Sequence, residues 1–370
     1  VRILILNWKD LAHPAAGGAE VLTEEVARSL VTKGHAVKLF AAAVAGRPER
    51  ETVDGVEIVR RGSRLGVYRA ARRFWSEEGA GRFDVVVDEI NTRPFLTPRW
   101  IHDTPVVALI HQLAREIWFD ETPFPLSALG RYVLEPWWLR AYRHVPALTV
   151  SRSSAQSLEH YHGWRDVTVI REGYNPQPMP SVERETAPTV VFLGRLVAMK
   201  RPEDAIEAFR LLRRQFSSAQ LWVIGDGPRL PGLRKDAPAG VEFLGRLSRS
   251  VVLDRLARAH VLVATSVREG WGLSVSEAAA CGTPAIGYSV PGLVDSIPAS
   301  GGALVPARPE LLGEALSEFF AGRLQLQPTI STAPWPDVAT SVELRLLDVV
   351  EAWSRGRATS RNRARRRTGA

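Results

Sequence analysis

At 370 residues the chain is too long for a single hydrophobic core, so two domains are expected. The apolar fraction of 45% suits a globular fold; no apolar run reaches membrane-spanning length, and the opening VRILILNW is too short and wrongly flanked for a signal peptide. The formal charge of +8 comes almost entirely from residues 355–370, which hold seven arginines and no acid, so the body is nearly neutral and no specific nucleic-acid partner is expected.

In chain order, RILILNW (2–8) reads as a strand. Apolar residues at Val21, Val26, Leu30 and Val31 then give a helical spacing from Ala19 to Lys33, which Gly34 ends. Strands follow at 35–41, 56–59, 84–88, 106–110, 148–150 and 167–170, with helices between them. This is the alternation of a parallel sheet covered on both faces. The stretch GYNPQPMPSVERETAP (173–188) is rich in proline and polar residues and reads as a linker. The alternation then restarts, with strands at 190–193, 221–224, 241–244, 261–264 and 285–287 and helices at 202–216, 248–258 and 272–280. An amphipathic segment, 338–353, follows. The expected domains are therefore 1–172 and 189–334, joined by the linker 173–188. A closing helix spans 335–354, and 355–370 is a disordered basic tail offering weak attraction to an anionic membrane. Cys281 is alone, which excludes disulfides and cysteine metal sites and fits the cytoplasm, with peripheral contact at the inner membrane face through the tail. Among alanines it reads as a buried, inert thiol. Arginine exceeds lysine 43 to 5, as in a GC-rich bacterial genome.

The fold class expected is α/β, with two Rossmann-like, doubly wound parallel-sheet domains facing across a cleft. Such sheets bind ligands beyond the carboxyl ends of their strands, where helix N-termini present free amides. Four loops lie there. HPAAGGAE (13–20) opens a helix with Gly17 and Gly18; it is not a dinucleotide fingerprint, and a tight turn explains it as well. GRLVAMKRP (194–202) carries Arg195 and Lys200, two cations able to clamp a diphosphate, although either alone reads as a solvated loop charge. GDGP (225–228) is a turn, and GRLS (245–248) ends in an N-cap serine. The fourth, TSVREGWGLSVSEAAACG (265–282), places Glu269 before a helix start and Glu277 one turn inside it. A carboxylate beside an anion site makes sense if it accepts sugar or ribose hydroxyls.

The run E-G-W-G-L-x-x-x-E from Glu269 to Glu277, followed by A-x-G-T-P-A-I, resembles the signature of the retaining nucleotide-sugar glycosyltransferases of family GT4, with the GT-B fold. GGAE, G-R-L-x-x-x-K (194–200) and G-x-G-P (225–228) agree, and the likeness runs from residue 1 to about 355. The resemblance implies a donor site in which Arg195 and Lys200 hold the diphosphate, Glu277 the ribose and Glu269 the donor sugar. The backbone of Gly270, Trp271, Gly272 and Leu273 would approach sugar and phosphate, with Gly18 near the phosphates and Arg246 near the base. His111, after the strand 106–110, matches the histidine that contacts the donor sugar. The reaction implied is transfer from a UDP- or GDP-sugar to an acceptor hydroxyl by phosphate-assisted front-face attack, with no metal and no cofactor. The acceptor would be a lipid, a saccharide or a secondary metabolite. Gln112, Arg171, Glu172 and Asp295 depart from the family pattern. Trp118, Phe119, Trp137 and Trp138 form a candidate apolar platform for the acceptor, with core packing the stronger expectation for the helical pair. Arg115 suits an acidic acceptor or a surface ion pair. A related phosphorylase or epimerase reaction, or an inactive sugar-nucleotide binding module, would share most of these features.

Overall fold

Central strands such as VVVDE and VVALI carry apolar residues on both sides, so each sheet must be covered on both faces. The computed structural model describes residues 1–174 and 182–368, and of residues 358 and 360–368 only the backbone. The first lobe holds β1 (Arg2–Leu6), β2 (Ala36–Ala41), β3 (Arg50–Val53), β4 (Val56–Arg60), β5 (Val85–Glu89), β6 (Val106–Ile110), β7 (Ala147–Thr149) and β8 (Val167–Val169), in spatial order β3-β4-β2-β1-β5-β6-β7-β8. All pairs are parallel except β3–β4, an edge hairpin absent from the sequence expectation. Its signal is Asp54-Gly55, both at positive φ, the pair a two-residue hairpin turn demands. The second lobe holds β9 (Thr189–Leu193), β10 (Gln220–Ile224), β11 (Val241–Gly245), β12 (Val261–Ala264), β13 (Ala285–Tyr288) and β14 (Ala303–Val305). Its order, β11-β10-β9-β12-β13-β14, is that of the doubly wound dinucleotide-binding sheet.

The helices of the first lobe are α1 (Gly18–Thr32), α2 (Val67–Phe74), α3 (Ile117–Glu121), α4 (Leu126–Leu129), α5 (Glu135–Leu139) and α6 (Arg152–His162); a π-helical turn at Gly130–Leu134 joins α4 to α5. Those of the second are α7 (Pro202–Arg213), α8 (Leu230–Asp236), α9 (Arg249–Arg258), α10 (Leu273–Ala280), α11 (Leu293–Ala299) and α12 (Pro309–Phe320). The last helix, α13 (Trp335–Thr368), returns to the first lobe and packs against α1. Trp335, Val338, Ala339, Val342, Leu346 and Val349 form its buried stripe, at intervals of three and four residues. Each large member contributes roughly 1.5–3 kcal/mol by leaving water. Glu343 pins the same helix to Lys33 at 2.6 Å and to His35 at 2.8 Å.

The segment expected to be a disordered tail differs: 355–368 continues α13 without a break. Arginine and alanine are good helix formers, and a helix already nucleated by packing extends at little cost. Arg357 donates to the Asp103 carbonyl of the first lobe at 2.8 Å. Of the expected linker, 175–181 lies outside the described residues. Before it, Tyr174 bridges to Pro334; after it, Arg184 donates to the carbonyls of Ala259 and Gly282, tying that end to the second lobe. Among the described residues no helix is long and apolar enough to cross a membrane.

Candidate active site

In each sheet, consecutive connections leave in opposite directions at one point, and a crevice opens beyond the strand ends there. In the second lobe that point lies between β9 and β12, so the loops 194–201 and 265–272 rise side by side. In the first lobe it lies between β1 and β5, where the loop 7–17 and Glu89 emerge. The two crevices face each other. A Cβ on Gly18 would stand 3.1 Å from Leu273 Cδ1, so the N-termini of α1 and α10 meet across the gap. A Cβ on Gly270 would stand 3.0 Å from the His111 carbonyl oxygen. Two helix N-termini aimed at one space make an anion site.

Local chemistry builds each wall. Gly17 caps α1 with extended backbone, and Glu20 accepts its N–H at 2.6 Å while pairing with Lys9 at 3.2 Å. Gly272 begins α10 at φ +101°, a conformation open to glycine and costly to other residues. Trp271, between the two glycines, turns its indole away from the gap. It is 2% exposed, donates to Ser276 Oγ at 2.8 Å and joins the hydrophobic core of the first lobe. What Trp271 can offer a ligand is its main chain.

Lys200 Nζ contacts Glu269 Oε1, and Ser266 Oγ donates to the same oxygen at 2.6 Å. Glu277, with 15% of its side chain exposed, pairs with Arg249; burial raises its carboxyl above the ordinary range and Arg249 opposes that rise. Arg195 is exposed on its loop, and its guanidinium makes no hydrogen bond or ion pair among the described residues. Arg246 is exposed too and reaches over to the Pro14 carbonyl at 3.3 Å. Lys200, Glu269, Gly270 and Leu273 thus come together at the crevice, whereas Arg195 and Arg246 stand exposed at its rim, Arg246 3.9 Å from Asp226.

His111 sits at the end of β6, 7% exposed, between two carboxylates from distant elements. Its Nε2 lies 3.4 Å from Glu89 Oε1 and its Nδ1 3.6 Å from Glu172 Oε1. Burial pulls the imidazole pKa down, but the two carboxylates outweigh it and raise it to about 10. The ring is therefore an imidazolium near neutrality, able to donate and unable to accept a proton. Glu89 is fully buried, its carboxyl raised by desolvation, with Thr23 donating to its second oxygen. The second oxygen of Glu172 is buried without a partner among the described residues.

Sequence reasoning missed Glu89, Glu172 and Arg249. The signal for Glu89 was position alone, at the carboxyl end of β5. Glu172 and Asp295, two of the departures from the family pattern, both turn out to face across elements: Asp295 accepts the Ser153 N–H at 3.1 Å, capping α6 from the opposite lobe. Arg268, 5% exposed, likewise crosses to Glu116 at 3.1 Å. The GDGP turn is structural, with the Asp226 carbonyl accepting the Leu196 N–H at 2.9 Å. Core packing, the stronger expectation for Trp137 and Trp138, fails for the first. Trp137 is 51% exposed beneath Arg99; Trp138 is half-buried against Trp118. Of α5 only Glu135 and Leu139 are buried, and Trp137 falls on its outer face. Arg115 lies 3.2 Å over the Tyr161 ring and 3.3 Å from Glu116.

The model of glycosyl transferases group 1 matches residues 176–331, and that of glycosyltransferase family 4 matches residues 16–178. The chain is 27% identical to a glycogen synthase of Mycobacterium tuberculosis over 69% of its own length and 66% of that protein's. It is 35% identical to a GDP-mannose-dependent phosphatidylinositol dimannoside mannosyltransferase of the same species, over 34% of each chain. The chain thus matches about two thirds and one third of these relatives. Among solved structures, sucrose-phosphate synthase from Thermosynechococcus elongatus superimposes with a TM-score of 0.71 at 18% identity, covering 97% of this chain and 99% of that one. Two family models laid end to end over the two lobes, on a fold shared with a solved transferase, leave one assignment: the chain belongs to glycosyltransferase family 4 and has the GT-B fold.

Proposed function

We propose that the chain is a retaining glycosyltransferase that moves a sugar from a UDP- or GDP-sugar to an acceptor hydroxyl. The observation that carries this reading is the meeting of two helix N-termini over a gap edged by Lys200 and Glu269. The free amides of α1 and α10, near Gly18 and over Gly270–Leu273, bind the diphosphate together with Lys200 and the exposed Arg195. Glu277 accepts the ribose hydroxyls and Glu269 those of the donor sugar, while Arg246 borders the base. Lys200 and Arg249 hold these two carboxylates in place before the donor arrives.

Chemistry follows from position and charge. The anomeric carbon–phosphate oxygen bond breaks, and the departing diphosphate gathers negative charge at the amides and cations. The acceptor oxygen attacks on the same face, and its proton passes to that phosphate oxygen. His111 takes no proton; with its two ring nitrogens turned to Glu89 and Glu172, it acts on the sugar through its positive charge. The acceptor hydroxyl belongs to a lipid, a saccharide or a secondary metabolite. Incubating the chain with labelled UDP- and GDP-sugars, GDP-mannose first, and a panel of hydroxyl acceptors tests this. The expected product is a glycoside whose anomeric configuration, read by NMR, equals that of the donor. Inversion refutes the mechanism, and tight donor binding without turnover makes the chain a binding module.

A further inference from the structure

Between residues 122 and 146 the chain turns the usual helix pattern outward. Ser127, Gly130, Glu135 and Leu139 are buried. Phe124, Leu126, Leu129, Tyr132, Val133 and Trp137 are 43–82% exposed, and from Leu126 on they recur every three or four residues, so they share one outer face of α4–α5. The single acid in this stretch, Glu135, points inward and accepts the N–H groups of Ala114 at 2.8 Å and Arg115 at 2.9 Å. Of the cations around the stripe, Arg93, Arg99, Arg140 and Arg143 are exposed, while Arg131 is largely covered beside Glu116. Arg99 lies 4.4 Å over Trp137, and Arg93 lies 4.3 Å over Tyr68 of α2, so the segment 93–99 joins α2 and α5 into one basic, aromatic face. Arg140 and Arg143 continue it.

We propose that this face docks on an anionic lipid bilayer. Aromatic and aliphatic side chains flanked by arginines, with no acid of residues 122–146 turned outward and the exposed Glu116 and Glu121 confined to the crevice end, match the boundary of such a bilayer: rings and methyl groups enter among the acyl chains, and guanidinium groups meet phosphates. The stripe also begins at the crevice mouth. Phe119 packs edge-on to Tyr132 at 6.2 Å, and Glu121, two residues on, accepts the Met199 N–H of the second lobe at 3.1 Å. A bilayer here brings headgroup hydroxyls beside the crevice. That last consequence rests on the transfer reading above; the docking itself does not.

Co-sedimentation of the full chain with vesicles tests it, without donor or turnover. The vesicles are phosphatidylcholine alone, or equal parts phosphatidylcholine and phosphatidylglycerol. Binding to the mixed vesicles is expected to exceed binding to the neutral ones. Phe124→Ser, Leu126→Ser and Trp137→Ser together are expected to weaken it on the order of tenfold, with melting temperature and elution volume unchanged. Replacing the five arginines of 361–367 by glutamine separates the stripe from the basic end of α13, and most of the binding is expected to remain. Triple-variant binding equal to wild type, or loss only in the glutamine variant, overturns the proposal. So does conversion of a wild-type dimer to a monomer by the triple substitution, because a second copy would then cover the stripe.

Discussion

Glu172→Gln removes one of the two carboxylates that keep His111 charged, with almost no change in shape. Unit charges about 3.5 Å apart at an effective dielectric of about 20 attract by roughly 4–5 kcal/mol, or roughly 3 pH units for each neighbour. Burial of the ring, the largest single influence, works against both, and the wild-type imidazole is still raised to about 10. With Glu172 neutralised, the attraction of Glu89 does little more than offset burial, so the ring is expected to titrate back near the ordinary histidine range. The sign for stability follows. In the wild type the charged ring stabilises fully below the unfolded value of about 6.5, and that contribution is lost as pH rises through about 10. The variant is expected to lack this alkaline loss. A ring-carbon NMR titration of the eight histidines, with His111→Asn to identify the resonance, reads the change directly. The alkaline limb of kcat/KM should move to lower pH in parallel. A His111 resonance still titrating near its wild-type position in Glu172→Gln refutes the reasoning, as does a wild-type ring that titrates as an ordinary histidine.

Lys200→Ala and Glu269→Ala are each expected to lower kcat/KM by on the order of 10²–10³. Melting should hardly change, because the pair is partly solvated, with side chains 23% and 14% exposed; steady-state kinetics beside thermal melts separate the two effects. Glycosyl transfer is expected to survive EDTA, since amides and cations carry the leaving-group charge, and an absolute need for added divalent metal would contradict that. Gly292→Ala adds a Cβ at φ +86° where it would overlap the Glu269 carbonyl. It is expected to cost about 1–3 kcal/mol in urea unfolding and to disturb Glu269; an unchanged midpoint would show that this loop yields.

The alternation of short apolar runs with helical spacings was enough to expect two parallel sheets, because a strand buried on both faces and an amphipathic helix leave different periods in the residues themselves. The loops that bear Arg195, Lys200, Glu269 and Glu277 were legible for a similar reason: glycines just after a strand and just before a helix are a local requirement of backbone geometry. Other features were set at a distance. Periodicity shows that an element has a covered side, but sheet order decides what covers it. Only the folded chain brings Glu89 from β5 and Glu172 from beyond β8 to either side of His111. Trp271 reads as a loop residue of the second lobe, yet its ring completes the core of the first. Trp137 reads as helix packing and faces outward, and the arginines after 355 prolong a helix because α13 was already held against α1. Charge pairing and burial in these places depend on which surfaces meet, a property of the whole chain and of no window along it.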